Sequence, residues 1–191
     1  AHDVVGLPPA DRPPPRRRAV PFRPEPGVKV WEQGREESKR IVAEMTVRAP
    51  PEAVWRVLTD YEALPSFVPN LERCERLPGA PPGRTLLRQR GCSQGALWRL
   101  EAEAVLEVEE VVGAMGRREA RFAMVSGDFA ELSGRWVVEP DPAAAAGPAT
   151  RLRYDISLKP RLSLPSTIVS YVVRAGLPAN IKEIAARAEA A

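Results

Sequence analysis

The chain offers little to acid–base or metal chemistry. Its single histidine, His2, stands beside the first residue, so the body of the protein has neither a histidine base nor a histidine ligand. Cys74 and Cys92 carry no CxxC spacing, and two thiols are too few for a disulfide framework or a structural zinc site. A hairpin turning around Ala80–Pro81 would set Cys74 opposite about Leu87, so a bridge to Cys92 is not expected, and as buried thiols both act as small hydrophobes. Three carboxylates are candidate acids or bases: Asp60, Asp128 and Asp155. Asp60 ends a helical pattern, where a turn hydrogen bond is the ordinary role. Asp128 belongs to a Gly–Asp turn, and Asp155 has the solvent-facing parity of its strand. Tyr154, on the inner parity, can donate one hydrogen bond, either to a ligand carbonyl or to backbone. Gln89 within Arg88–Gly91 can place a polar group at a pocket end, whereas Arg90 suits a solvated strand face. No catalytic residue, metal site or cofactor is expected from this inventory.

What remains for a ligand to meet is apolar, and the elements that carry it follow from periodicity. Proline supplies 21 of the 191 residues, about double the ~5% of ordinary chains. Eight prolines fall within residues 1–26, enough to prevent helix or ladder formation there. The same stretch holds five arginines against Asp3, Asp11 and Glu25, a surplus of +2 out of the chain's +3. The body therefore has almost no excess charge to attract phosphate, and nucleic acid is not an expected partner. Residues 1–37 read as a Pro/Arg-rich extended tail, in which Arg16–Arg18 suit a solvated leader, a protein-docking segment or an anionic-membrane patch. No apolar signal core and no stretch of ~18 uncharged apolar residues is present, so neither secretion nor a membrane span is expected. The first residue is Ala1 rather than methionine, which fits a processed chain.

From residue 38 the pattern alternates with period two. Ile41, Ala43, Met45 and Val47 share one face of a strand. Pro50–Pro51–Glu52 open a helix that runs through Trp55 and Leu58 to about Asp60, followed by a short apolar turn at 64–69. Strands follow over 71–77, 84–90, 98–109, 120–124, 132–138 and 152–158, separated by turn residues such as Gly127–Asp128. After Pro165 the period becomes 3.6: Ile168, Tyr171, Val172 and Ala175 form a stripe that Ile181, Ile184, Ala185 and Ala188 resume, with Gly176 and Pro178 bending the helix between them.

This order predicts an α+β domain over residues 38–191: a curved antiparallel sheet wrapped around a long C-terminal helix, with short helices after the first strand. The inward residues mix bulky with small, Trp136 and Phe122 beside Ala102, Ala120 and Gly134, which allows an apolar cavity between sheet and helix. The same residues would equally make a filled core, so composition leaves both interiors open. The candidate lining comes from Leu64 and Phe67 in the entrance turn, from Trp98, Phe122, Met124, Trp136 and Tyr154 in the sheet, and from Ile168, Tyr171 and Val172 in the helix.

Five segments together resemble one family: LTDYEALPSFVPNLERCE (58–75), RQRG (88–91), GDFAELSGRWVVEP (127–140), TRLRYDISLKPRLSLPSTIVSYVV (150–173) and LPANIKEIAARAE (177–189). They are similar to the coenzyme Q-binding and polyketide cyclase/dehydrase-like branch of the START (SRPBCC) superfamily, over about residues 38–190. The resemblance implies a helix-grip fold around a hydrophobic cavity. It also implies non-catalytic binding or transport of a lipid, an isoprenoid quinone or a similar molecule, with transient membrane contact. GDF followed by GxW, with LP at the last helix, is most similar to members from cyanobacteria and plastids, which implies a chloroplast address. Two rivals stand beside this expectation: a cyclase- or dehydrase-like enzyme, and a subunit of a larger assembly whose cavity is filled.

Overall fold

Alternating apolar and polar residues give most of the strands a dry and a wet side, and eight strands join in one antiparallel sheet in the computed structural model. The structure describes residues 27–35, 38–94, 98–144, 147–161 and 176–191. In chain order the elements are β1 (Lys29–Arg35), β2 (Ser38–Val47), α1 (Pro51–Thr59), a 3₁₀ turn (Leu64–Ser66), β3 (Leu71–Leu77), β4 (Arg84–Gln94), β5 (Arg99–Val112), a 3₁₀ turn (Ala114–Gly116), β6 (Arg118–Gly127), β7 (Phe129–Pro140), β8 (Thr150–Pro160) and α2 (Leu177–Glu189). The sheet order is β1-β2-β8-β7-β6-β5-β4-β3. Strands β3 to β8 are thus a meander, and β8 closes on β2. The segment holding α1 and the first 3₁₀ turn connects β2, near one edge of the sheet, to β3 at the other.

The helix-grip architecture expected from the sequence is the one found, with two corrections. Lys29–Arg35, read as part of the tail, forms edge strand β1 on β2, with Val30 opposite Ala43 and packed against the core. In the β3–β4 hairpin Cys74 faces Gln89 rather than Leu87. That offset of two residues preserves which side chains face inward, and both thiols are free. Residues Ile168, Tyr171, Val172 and Ala175 lie outside the described residues. From Leu177 onward α2 is continuous, and Pro178 sits in its first turn, where a missing N–H costs nothing.

The inner side of β2 and β8 carries the densest packing. Ile41, Val47 and Leu152 are fully buried there, and Ile181, Ile184, Ala185 and Ala188 of α2 close over this region together with Val54, Trp55 and Leu58 of α1. Helix α2 packs chiefly on β2 and α1, and more lightly on β8. It is tied at both ends. At its start, Asn70 Nδ2 donates to the Gly176 carbonyl and to Asn180 Oδ1, both at 3.0 Å. At its end, Glu189 Oε1 accepts the Arg48 backbone N–H at 2.8 Å.

The convex side of the sheet is a field of ion pairs. Arg40 grips Asp155 through Nε and Nη2 at 2.8 and 2.7 Å, with Arg135 and Arg153 close by. The Arg40 hydrogen bond holds the Asp155 carboxyl below the usual carboxylate range. Glu119 receives Arg117 and Arg121, whose hydrogen bonds outweigh the upward pull of burial and lower its pKa. Asp128 accepts the Glu103 N–H at 2.8 Å and so pins the β6–β7 turn to β5, while Asp60 sits exposed at the C-terminal cap of α1.

One glycine shapes the concave side. Gly134 pairs with Phe122 across β6 and β7. A Cβ at Gly134 would lie 2.3 Å from the Asp155 carbonyl oxygen and 2.7 Å from Phe122 Cζ, so the Phe122 ring occupies the space that a side chain would need. Gly134→Ala must displace backbone or ring, and it is expected to lower the unfolding free energy by about 2 kcal/mol in a denaturant titration; a loss below about 0.5 kcal/mol would contradict this packing. Asn70→Ala removes both bonds at the start of α2. It should cost about 1–3 kcal/mol and reduce hydrogen-exchange protection in the first turns of α2. Unchanged protection there would mean that Asn70 does not hold the helix.

Candidate functional site

Because α2 is tied at its ends and rests on β2 and α1, the concave side of β4 to β7 is not filled by it. A cavity of about 130 Å³ lies there. Its floor is the inner row of five strands: Leu87 and Gln89 from β4, Leu106 and Val108 from β5, Ala120 and Phe122 from β6, Trp136 from β7, and Tyr154 from β8. Its roof comes from Leu58, Tyr61, Leu64 and Val68 around α1 and the 3₁₀ turn, and from Asn180 and Ile184 of α2, with Asn70 and Leu71 at one end. The volume is below the ~300–1,000 Å³ of sites for drug-sized ligands, and close to the ~150 Å³ apolar cavity that holds benzene in an engineered protein.

The wall at β6 to β8 is aromatic. Trp136 and Tyr154 stack with ring centroids 4.0 Å apart and planes at 16°, and the Phe122 ring lies 6.1 Å from Tyr154. Ala120, opposite Trp136 in the ladder, leaves the space in front of the stack open. Burial raises the Tyr154 pKa well above the ordinary phenol value. The Tyr61 phenol is likewise pushed up, first by burial and then by its bond to Glu110 Oε1, to which its hydroxyl donates at 2.8 Å. Both phenols therefore stay protonated at neutral pH and can donate hydrogen bonds, but they are not bases. Gln89 Nε2 donates to Cys74 Sγ at 3.5 Å, and burial raises the Cys74 thiol pKa. No aspartate, glutamate, lysine or arginine lines the cavity among the described residues. Nor do the described residues hold a cluster of three or more His, Cys, Asp or Glu that could take a metal ion.

Of the residues singled out by sequence, the structure brings Leu64, Phe122, Trp136 and Tyr154 together around the cavity, with Gln89 at its edge. Phe67, Trp98 and Met124 stand away from it. The Phe67 ring lies 5.8 Å beneath the Arg187 guanidinium of α2, Trp98 precedes β5, and Met124 packs against the core further along β6. Ile168, Tyr171 and Val172 lie outside the described residues. The sequence reading missed Tyr61, Asn70 and Asn180. Tyr61 follows α1 in the LTDY stretch, and its aromatic type was the available signal. Nothing local marks an Asn70–Asn180 pair separated by 110 positions. No helix among the described residues is long and apolar enough to cross a membrane.

Solved structures share this architecture. Human StAR-related lipid transfer protein 5 superposes with a TM-score of 0.74 at 14% identity, covering 88% of this chain and 85% of that one. A STAR-related lipid transfer protein from Xanthomonas axonopodis gives 0.69 at 18% identity, covering 86% and 94%. The Zhui aromatase/cyclase from a Streptomyces species gives 0.60 at 18% identity, covering 80% and 94%. At these identities the likeness is one of fold. No curated protein matches the sequence. The family model described as polyketide cyclase/dehydrase and lipid transport matches residues 47–185, from the end of β2 into α2 and so most of the described domain. The chain belongs to the polyketide cyclase/dehydrase and lipid transport family.

Proposed function

We propose that this protein binds and carries an apolar small molecule without chemically altering it. The observation that carries the reading is the largely apolar cavity beneath α2, in which the ionisable side chains among the described lining are two protonated phenols. Ring closure or dehydration needs a group that accepts a proton near neutral pH, and a phenol held above its ordinary pKa is a poor one. Membership in a family described by both cyclase/dehydrase and lipid transport is compatible with a carrier, and the lipid transfer proteins of similar fold support it.

Leu64, Phe122, Trp136 and Tyr154 are the proposed ligand contacts. Binding would be driven by desolvation, at about 0.8 kcal/mol for each buried CH₂. Of the two ligand classes suggested by the sequence, a quinone offers a ring that a 130 Å³ space can take. A whole lipid chain would require α2 or the 64–69 turn to move off the sheet. That movement is also the proposed route of loading and release, with the Phe67–Arg187 contact as part of what must open. The GDF, GxW and LP pattern supports a plastid setting, with transient membrane contact for exchange.

Native mass spectrometry of the protein isolated from its own source should show a bound hydrophobic species. Ala120→Leu, which places extra carbons in front of Trp136, should cut the occupied fraction at least about tenfold while changing stability by less than about 1.5 kcal/mol. If the unmodified protein carries no such species and takes up no hydrophobic fluorophore, the carrier reading fails.

A further inference from the structure

The body of the chain has almost no excess charge, but its charges are placed unevenly on the convex side of the sheet. A row of short side chains crosses that side. Ser157 of β8 stands between Arg40 of β2 and Ser133 of β7, and Ser133 stands opposite Ala123 of β6. The next row holds Asp155, Arg135 and Arg121. Between the long side chains the short ones leave an open depression of about 330 Å³, lined by Arg40, Arg121, Arg135, Ser133, Ser157 and Asp155. Three guanidiniums there meet one carboxylate.

The donors of these groups are unequally used. Arg40 spends Nε and Nη2 on Asp155. Arg121 spends Nε on Glu119 and keeps both Nη groups without a hydrogen bond among the described residues. Arg135 makes no hydrogen bond among the described residues, since it stands 3.9 Å from Glu119 and 3.7 Å from Asp155. The Ser133 and Ser157 hydroxyls have no partner among them either. Arg121 and Arg135 are also directly opposite each other in the ladder, where like charges repel. Glu119 offsets this only in part, because it is shared with Arg117.

We propose that this depression binds a phosphate group, carried by a small soluble phosphoester or by a lipid headgroup. The oxygens of one phosphate can accept from the Arg135 fork, the free Nη groups of Arg121 and the two hydroxyls together; a carboxylate has only two oxygens to share among them. The bound anion offsets the repulsion between Arg121 and Arg135, and the remaining space takes the group to which the phosphate is attached. The site lies on the opposite side of the sheet from the apolar cavity, so it stands whether or not the carrier reading does.

Titration of the full chain with inorganic phosphate, followed by amide NMR at an ionic strength held constant with potassium chloride, tests this. Saturable shifts are expected at Ser133, Arg135 and Ser157. Arg135→Gln should weaken binding about tenfold. Arg84→Gln, which removes an equal charge from β4, should leave it unchanged. Sedimentation with phosphatidylcholine vesicles, with and without phosphatidic acid, separates the two sources. Arg135-dependent binding to the phosphatidic acid vesicles supports the site and assigns a lipid headgroup, whereas phosphate binding alone supports it and assigns a soluble phosphoester. Equal losses in the Arg135 and Arg84 variants would show diffuse charge attraction and overturn the site. So would the absence of both saturable phosphate shifts and vesicle binding that requires phosphatidic acid.

Discussion

The suspension of α2 is the constraint on which the rest of the structure depends. A helix with an apolar stripe lowers its free energy by settling onto the nearest apolar sheet. Here its buried residues, Ile181, Ile184, Ala185 and Ala188, settle on β2, α1 and β8, and its two ends are fixed by polar ties to Asn70 and Arg48. Both anchors belong to the chain that leads into and out of α1. The helix therefore bridges the curve of the sheet instead of following it, and the inner row of β4 to β7 is left partly uncovered. The hollow is a consequence of where the helix is held. Small side chains contribute as well: Ala120, and Gly134 beneath the Phe122 ring, keep the floor low.

The two sides of the sheet divide the chemistry between them. On the convex side Asp155 and Glu119 are buried among arginines, which lower their pKa values. A carboxylate whose ionised form is stabilised in this way serves cohesion and is a poor proton shuttle at neutral pH. The concave side keeps aromatic and aliphatic residues with a few neutral polar tips. Such a wall favours apolar guests.

Much of this was legible because a period of two is a strong signal in long strands. The facing of Phe122, Trp136, Tyr154 and Leu152 followed directly from alternation, as did the outward parity of Asp155 and Arg153. Strand β1 was not legible: Trp31 lies on the outer side, half exposed, and Glu32 has the inward parity, so the seven residues show no clean alternation. Parity also says nothing of position along a strand. Met124 has the same facing as Phe122 and yet stands beyond the cavity. Phe67 had the right composition for an entrance, but its ring is held by Arg187, a partner 120 positions away in sequence. The Asn70 tie was hidden for the same reason, since a long-range hydrogen bond leaves no local pattern. The sequence could not distinguish a hollow interior from a filled one either, because the same side chains line both.

Ligand binding depends on the hollow beneath α2. Diffraction from crystals held under xenon pressure measures it directly, since xenon enters dry apolar cavities of this size. A xenon atom is expected between Leu106, Phe122 and Ile184, beneath α2. A crystal with no xenon there, and with side chains closing the space between the aromatic wall and the helix, would contradict it.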